Sequence, residues 1–268
     1  MPRHYTNLDD LAATYDHIYL SPHIDDAALS CGGSIAGFVG AGQSVLVVNI
    51  CAGSPPPEGP FSPFAQQLHR QWALPPDEAV RRRIQEDIEA LETLGADCLL
   101  LDALDAIYRM PDAYTGDDTL FGTVAPDDTL ADALRGHVAA LAARFPAAIF
   151  YAPLGVGQHV DHQVTYAAAA DLAQRGMSLA FYEDFPYVAK PTALTERMAK
   201  IGGAEIFLPS VTNIDATLAR KISAVEAYAS QIGTLFGDLA AMASSITAYA
   251  EGLRPEAGTY GERIWMRR

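Results

Sequence analysis

Two short runs in this 268-residue chain carry groups that can do chemistry together. The first is Ser21-Pro22-His23-Ile24-Asp25-Asp26, followed by the small-residue stretch Ala27 to Gly33. Imidazole and carboxylate are ordinary ligands of Zn²⁺ and similar ions. His23 and Asp26, three apart on a tight turn, can point at one ion, which leaves Asp25 to face a bound water. A plainer reading also stands: Asp25 or Asp26 caps the next helix and His23 is an ordinary turn histidine. The second run is His159-Val160-Asp161-His162. Histidines at i and i+3 share one side of a helical turn. Asp161 between them can hold an imidazole N–H, a common arrangement beside metal ligands. One histidine pair is more often structural than catalytic. Two His/Asp clusters at equivalent places are hard to explain by capping alone.

Their places follow from the elements around them. Apolar β-rich runs at His17–Ser21, Ser44–Cys51, Asp97–Asp102, Ala147–Ala152, Ser178–Glu183 and Ala204–Leu208 predict strands. Helical patterns fill Asp26–Val39, Asp77–Leu94, Asp128–Phe145 and His162–Gln174, the second with Val80, Ile84, Ile88 and Leu91 in register. This alternation predicts an α/β fold with a mostly parallel sheet covered on both faces. Both runs then follow strands, at the carboxyl ends where open α/β sheets bind ligands. The Pro-rich stretch Ser54–Pro63 belongs at the same end. Gly32, Gly33 and Gly37 do not make a dinucleotide fingerprint. They fall inside the helix, while the turn itself holds carboxylates that would repel a pyrophosphate. They fit close helix–sheet packing instead.

The last third differs. Leu218, Ile222, Val225, Ala229, Ile232, Phe236 and Leu239 form one apolar helical stripe, which Gly233 and Gly237 could divide into two helices. The stripe is expected to pack on the sheet, with a homo-oligomer contact as the alternative. The absence of repeats and linkers predicts a single domain, 1–268, in which 1–185 is the metal-site core and 186–268 a mostly helical completion.

At the two runs the sequence resembles the PIG-L/LmbE-like N-deacetylase family, whose motifs read H-P-D-D-E and H-x-D-H. The likeness includes the helix carrying Arg82-Arg83, Glu86-Asp87 and Leu94-Gly95, and covers roughly the first 185 residues. It implies a Rossmann-like fold and a zinc-dependent hydrolase that removes the acetyl group of an amino sugar or glycosylated small molecule. Zn²⁺ is the implied cofactor, with Fe²⁺ or Co²⁺ able to use the same ligands. By resemblance His23, Asp26 and His162 are the metal ligands and Asp25 is the general base for the attacking water. His159 stabilises the tetrahedral intermediate, protonated beside Asp161, which orients it. Ile24 stands where the family has proline and Ala27 where it has glutamate. The second change removes a supporting group but no ligand or base. An amidase for non-sugar or long-acyl substrates, or a non-catalytic binding homologue, is the alternative.

Weaker signals concern the substrate. Arg81-Arg82-Arg83 reads as a solvated helix face, with Arg82–Glu86 and Arg83–Asp87 at i,i+4 spacing; the sharper reading sends Arg83 to the pocket. Glu183, Asp184 and Tyr187 end a strand on the site side and could meet sugar hydroxyls or ring faces. His4, His17, His69 and His137 have no partner pattern. Cys31, Cys51 and Cys98 read as buried reduced thiols of a cytoplasmic protein, with no catalytic role. Met1–Asp10 has the pattern of neither a signal peptide nor an anchor. With 18 Lys+Arg against 33 Asp+Glu, the formal charge is −15. That balance excludes nucleic acid and anionic membranes as partners for the bulk field.

Overall fold

The computed structural model describes residues 2–72 and 75–268. Among the described residues eight strands join one sheet: β1 (His4–Tyr5), β2 (His17–Ser21), β3 (Val45–Asn49), β4 (Asp97–Leu100), β5 (Ile149–Pro153), β6 (Leu179–Tyr182), β7 (Phe207–Asn213) and β8 (Gly261–Arg267). Their order is β1-β4-β3-β2-β5-β6-β8-β7. β8 pairs antiparallel with both neighbours and the other pairings are parallel. Every residue of β2 and β3 is buried, as expected of central strands covered on both faces.

The helices before the sheet's midpoint are α1 (Asp26–Gly40), α2 (Pro63–Trp72), α3 (Pro76–Leu94), α4 (Ala106–Arg109), α5 (Asp117–Leu120) and α6 (Leu130–Arg144). After β5 come α7 (Val160–Gln174), α8 (Ala193–Ile201), α9 (Leu218–Glu226), α10 (Ala229–Leu235) and α11 (Leu239–Leu253). α1, α3 and α9 pack on one another, and α6 packs on α7. Right-handed crossovers put these two groups on opposite faces. The winding direction reverses between the adjacent strands β2 and β5. That switch point is where such sheets open a ligand crevice. β2 runs into His23-Ile24-Asp25-Asp26 and β5 into His159-Val160-Asp161-His162, so the sheet brings the two runs together.

Three expectations need correction. The strand expected at Ala204–Leu208 begins at Phe207; Gly203–Glu205 is a 3-10 turn, entered through Gly202 and Gly203 in left-handed backbone. The C-terminal stripe is three helices rather than two. It breaks after Glu226 and at Gly237, whose φ of 90° suits glycine, while Gly233 stays inside α10. The stripe also meets helices α1 and α3 before it meets the sheet. Gly33 is correspondingly needed for closeness to Ile214, whose side chain would lie 2.9 Å from an added Cβ.

Two polar anchors tie the C-terminal third to the core. Glu262 of β8 accepts the Gly33 and Ser34 amides at 2.9 and 2.7 Å and the Lys221 ammonium at 2.7 Å. On α3, Asp87 accepts Tyr228 Oη at 2.7 Å and Asn49 Nδ2 at 2.6 Å. Burial pushes the Asp87 carboxyl up to about 6, with Tyr228 and Asn49 opposing. The folded state therefore holds this proton more tightly than the unfolded chain. Its contribution to stability falls as pH rises from about 4 to about 6. Tyr228→Phe removes a donor that the carboxylate needs. Urea unfolding is expected to show a loss of about 1–3 kcal/mol at pH 7.5, and a smaller one at pH 5, where Asp87 is protonated. Equal losses at both pH values would refute this.

Candidate metal centre and active site

The turn after β2 is built by its own side chains. Ser21 Oγ donates to the His23 carbonyl at 2.7 Å and accepts the Ala27 amide at 3.0 Å. Asp26 Oδ2 accepts the His23 amide at 2.8 Å. Asp25 occupies the N-cap position of α1, yet its side chain makes no capping bond. Capping therefore does not account for it. Its carboxylate instead faces Arg83, with Nη2 at 3.5 Å, and lines the main cavity.

The imidazoles are held from behind. His162 Nδ1 lies 2.6 Å from Asp184 Oδ1. Asp184 Oδ2 accepts the amides of Gly155 and Val156, both at 2.8 Å, which fixes the loop leaving β5. His23 Nε2 lies 3.1 Å from Asp161 Oδ2 and 3.6 Å from Asp105 Oδ2. Carboxylates in these positions keep a proton on the nitrogen they face, so the other nitrogen is the one a cation can use.

Those other nitrogens converge. His23 Nδ1 and His162 Nε2 each lie 3.3 Å from Asp26 Oδ2. Zn–N and Zn–O bonds of about 2.0–2.1 Å at tetrahedral angles give ligand–ligand edges of about 3.3–3.4 Å. Among the described residues His162 Nε2 is buried with no hydrogen-bond partner, an expensive condition unless something binds there. The ring nitrogens of His23, His159 and His162 also lie within 4.8 Å of one another. Asp26 is the better third ligand, because it is anionic and equidistant from both imidazoles. These residues fit a divalent cation.

The charges agree. Burial opposes a proton on His23, but Asp161 and Asp26 win and hold it well above the ordinary range. For His162, burial is likewise outweighed by Asp26 and Asp184, and its pKa rises to about 9. Burial would raise Asp26, but His162 and His23 pull it well below the usual carboxylate range. Asp25 moves up, because burial outweighs the Arg83 charge.

His159 differs from expectation. It caps α7 by accepting the Asp161 amide at Nδ1, 3.2 Å, and stands 4.0 Å from the Asp161 carboxylate. Burial first, then His23, push its pKa well down. That direction favours a neutral ring over one protonated beside Asp161, and an Nδ1 that accepts an amide places the proton on Nε2. The Asp161 carboxylate serves His23 and Arg109 instead, with Arg109 Nη2 at 2.7 Å from Oδ1.

The cavity in front of these groups holds about 350 Å³. Arg83, Asp105, His159 and Tyr187 line it, with an apolar wall from Phe64, Leu68, Trp72, Ile107, Leu120, Phe121 and Leu235. Arg83 turns to Asp25, not to Asp87, while Arg82 does pair with Glu86 at 2.9 Å. Glu183 and Asp184 do not reach the cavity. Glu183 accepts Arg263 Nε at 2.6 Å, Trp265 Nε1 at 2.8 Å and the Tyr249 hydroxyl, joining β6 to β8 and α11. Both acids are spent on internal donors. Asp105, Arg109 and the apolar wall were missed in the sequence. Asp105 and Arg109 lie in an irregular stretch and a four-residue helix, although Asp105 as an N-cap of α4 is a readable signal; Phe64, Leu68 and Trp72 do repeat every four residues, on α2. Cys51 is a buried free thiol, as expected, and it lies beside His23 and Asp161.

The family model described as PIG-L, GlcNAc-PI de-N-acetylase, matches residues 18–173 and so contains both runs. The chain belongs to the PIG-L family. It is 30% identical over 189 residues to the 2'-N-acetylparomamine deacetylase of Niallia circulans, covering 63% of this chain and 66%, just under two thirds, of that protein. The Streptomyces fradiae 2'-N-acetylparomamine deacetylase is 29% identical over 218 residues, 80% of this chain and 72% of its own. The zinc-inhibited form of teicoplanin deacetylase Orf2 superposes with TM-score 0.77 at 29% identity, covering 94% of this chain and 98% of its own. The A40926 pseudoaglycone deacetylase Dbv21 gives 0.75 at 29% identity, with 96% and 98% covered. The mostly parallel α/β sheet is thus the architecture of this PIG-L chain and of these neighbours. No helix among the described residues is long and apolar enough to cross a membrane.

Proposed function

We propose that this PIG-L-family chain is a metal-dependent N-deacetylase acting on an amino sugar or glycosylated small molecule. The observation that carries the reading is the convergence of His23, Asp26 and His162 on one point beside the uncapped Asp25. The deacetylases named above support the substrate class. β7 and β8 share the sheet of the site, which supports reading 1–268 as one domain.

His23, Asp26 and His162 would hold the ion, with Zn²⁺ the best match to the ligand set. A bound cation would acidify a water and polarise the acyl carbonyl. Asp25 takes the proton of the attacking water and passes it to the leaving nitrogen as the C–N bond breaks, giving a carboxylate and a free amine. Its upward shift suits a base working near neutral pH. Arg83 holds Asp25 in place. His159 Nε2–H donates to the carbonyl oxygen as negative charge grows there, a role that needs no imidazolium. Tyr187 and Phe121 offer ring faces to the sugar.

A second reading is favoured by the apolar wall: the substrate carries a long acyl chain or an apolar aglycone. Phe64, Leu68 and Trp72 recur every four residues on one face of α2 and meet Phe121 and Leu235 across the cavity. The test is amine release from N-acetyl and longer N-acyl glucosamine conjugates, with chelator and after adding back Zn²⁺. Turnover is expected to vanish with chelator and return with zinc. Undiminished turnover of the demetallated protein, or none across the panel when metal is bound, would overturn the reading.

A further inference from the structure

Behind the proposed catalytic cluster, three more ligand atoms meet. His23, Cys51 and Asp161 each offer one, all within 4.8 Å of one another and all buried. They come from three segments: the turn after β2, the loop after β3, and the first turn of α7. Asp161 spends Oδ1 on Arg109, while Oδ2 receives His23 Nε2 and the Ala106 amide at 3.1 Å each. Asp105 Oδ2, 3.6 Å from His23 Nε2, is a fourth ligand atom at the same place.

A small cavity of about 20 Å³ adjoins this group, lined by Cys51, Asp105, Tyr108 and Arg83 among others. A volume above about 10–15 Å³ is enough for one water-sized occupant. Asp105, Arg83 and Trp72 line the main cavity as well, so the two spaces share a wall.

We propose that His23 Nε2, Cys51 Sγ and Asp161 Oδ2, backed by Asp105, form a second metal site that takes a thiophilic divalent ion and inhibits the enzyme. The inhibitory part rests on the function proposed above. Thiolate and imidazole together select Zn²⁺ or Co²⁺ over Mg²⁺ or Ca²⁺. Binding releases the Cys51 thiol proton to solvent and moves the His23 proton from Nε2 to Nδ1. A neutral imidazole has one free nitrogen, and His23 presents Nδ1 to the first site and Nε2 to the second. It can serve only one of them. An ion at the second site therefore takes a ligand from the first, and excess metal stops turnover that the first equivalent supports.

Cobalt titration of the whole chain tests this, with Cys51→Ala beside it. Cys51 has no part in the proposed catalytic step, so Cys51→Ala is expected to keep wild-type turnover at one equivalent of metal. In the wild type a near-ultraviolet thiolate-to-cobalt band should grow beyond the first equivalent, in step with inhibition. In Cys51→Ala the band should be absent and the inhibitory metal concentration should rise by at least about tenfold, the scale of losing one supporting group. No band at inhibitory cobalt in the wild type overturns the second site without any variant. So does inhibition of Cys51→Ala at the wild-type concentration. In either case, activation by the first equivalent leaves the catalytic reading standing. A chain that takes up no ion overturns both.

Discussion

Asp25→Asn is expected to lower kcat by about two to four orders of magnitude, the range for removing a general acid–base group, while bound metal stays at the wild-type level. Asp25 sits at the start of α1 and spends no oxygen on the helix, so its carboxylate is available to the cavity. It is not among the convergent ligand atoms, which are His23 Nδ1, Asp26 Oδ2 and His162 Nε2. Asparagine keeps the shape but cannot take a proton from water. The wild-type rate should fall toward acid pH as Asp25 is protonated. Burial places that limb above the ordinary aspartate range despite the nearby Arg83. In Asp25→Asn the limb should disappear along with the rate. Metal analysis beside steady-state kinetics decides the matter. A metal-loaded variant within about threefold of wild-type turnover would remove Asp25 from the base role, whose loss is worth at least about a hundredfold.

What could be read in the sequence was local. The apolar runs before Pro22 and Pro153 mark strands, and a turn after a parallel strand opens at the binding end, so the meeting of both runs followed from chain order. What could not be read was which donor each carboxylate would find. Asp184 looks like a substrate contact because it follows a strand on the site side. It is instead the clamp on His162, and only the three-dimensional approach of β6 to the loop after β5 shows that. Asp161 stands beside His159 in the sequence but serves His23 across 138 residues. β8 carries no continuous apolar pattern because its Glu262 and Arg263 interrupt it; both are buried or half-buried because Lys221 and Glu183 meet them. Strand β1 is only two residues long and carries no pattern at all.

His162→Ala carries the second large effect: metal affinity is expected to fall by at least about a hundredfold, beyond the tenfold-to-hundredfold cost of losing a mere supporting partner, and turnover to fall with it. His162 is fully buried, and its Nε2 faces Asp26 with no other partner among the described residues. The pH dependence supplies an independent check. Without a cation, Asp26 and Asp184 hold the His162 proton up to about pH 9, and Asp161 and Asp26 hold that of His23 above its ordinary range. A cation needs one nitrogen of each ring, so it must displace both protons. Protons and metal compete, and affinity rises with pH. Between pH 6 and 8 the logarithm of the affinity should climb by up to about two per pH unit. His162→Ala removes one of those protons and should bring the slope near one. Asp184→Asn, which leaves the ligand but weakens its hold, should cost about ten- to a hundredfold in affinity and lessen the His162 contribution to the slope. Calorimetric titration in buffers of different ionisation enthalpy counts the protons directly. Tight binding with no proton release would mean that the ion does not sit between these imidazoles, whatever the activity shows.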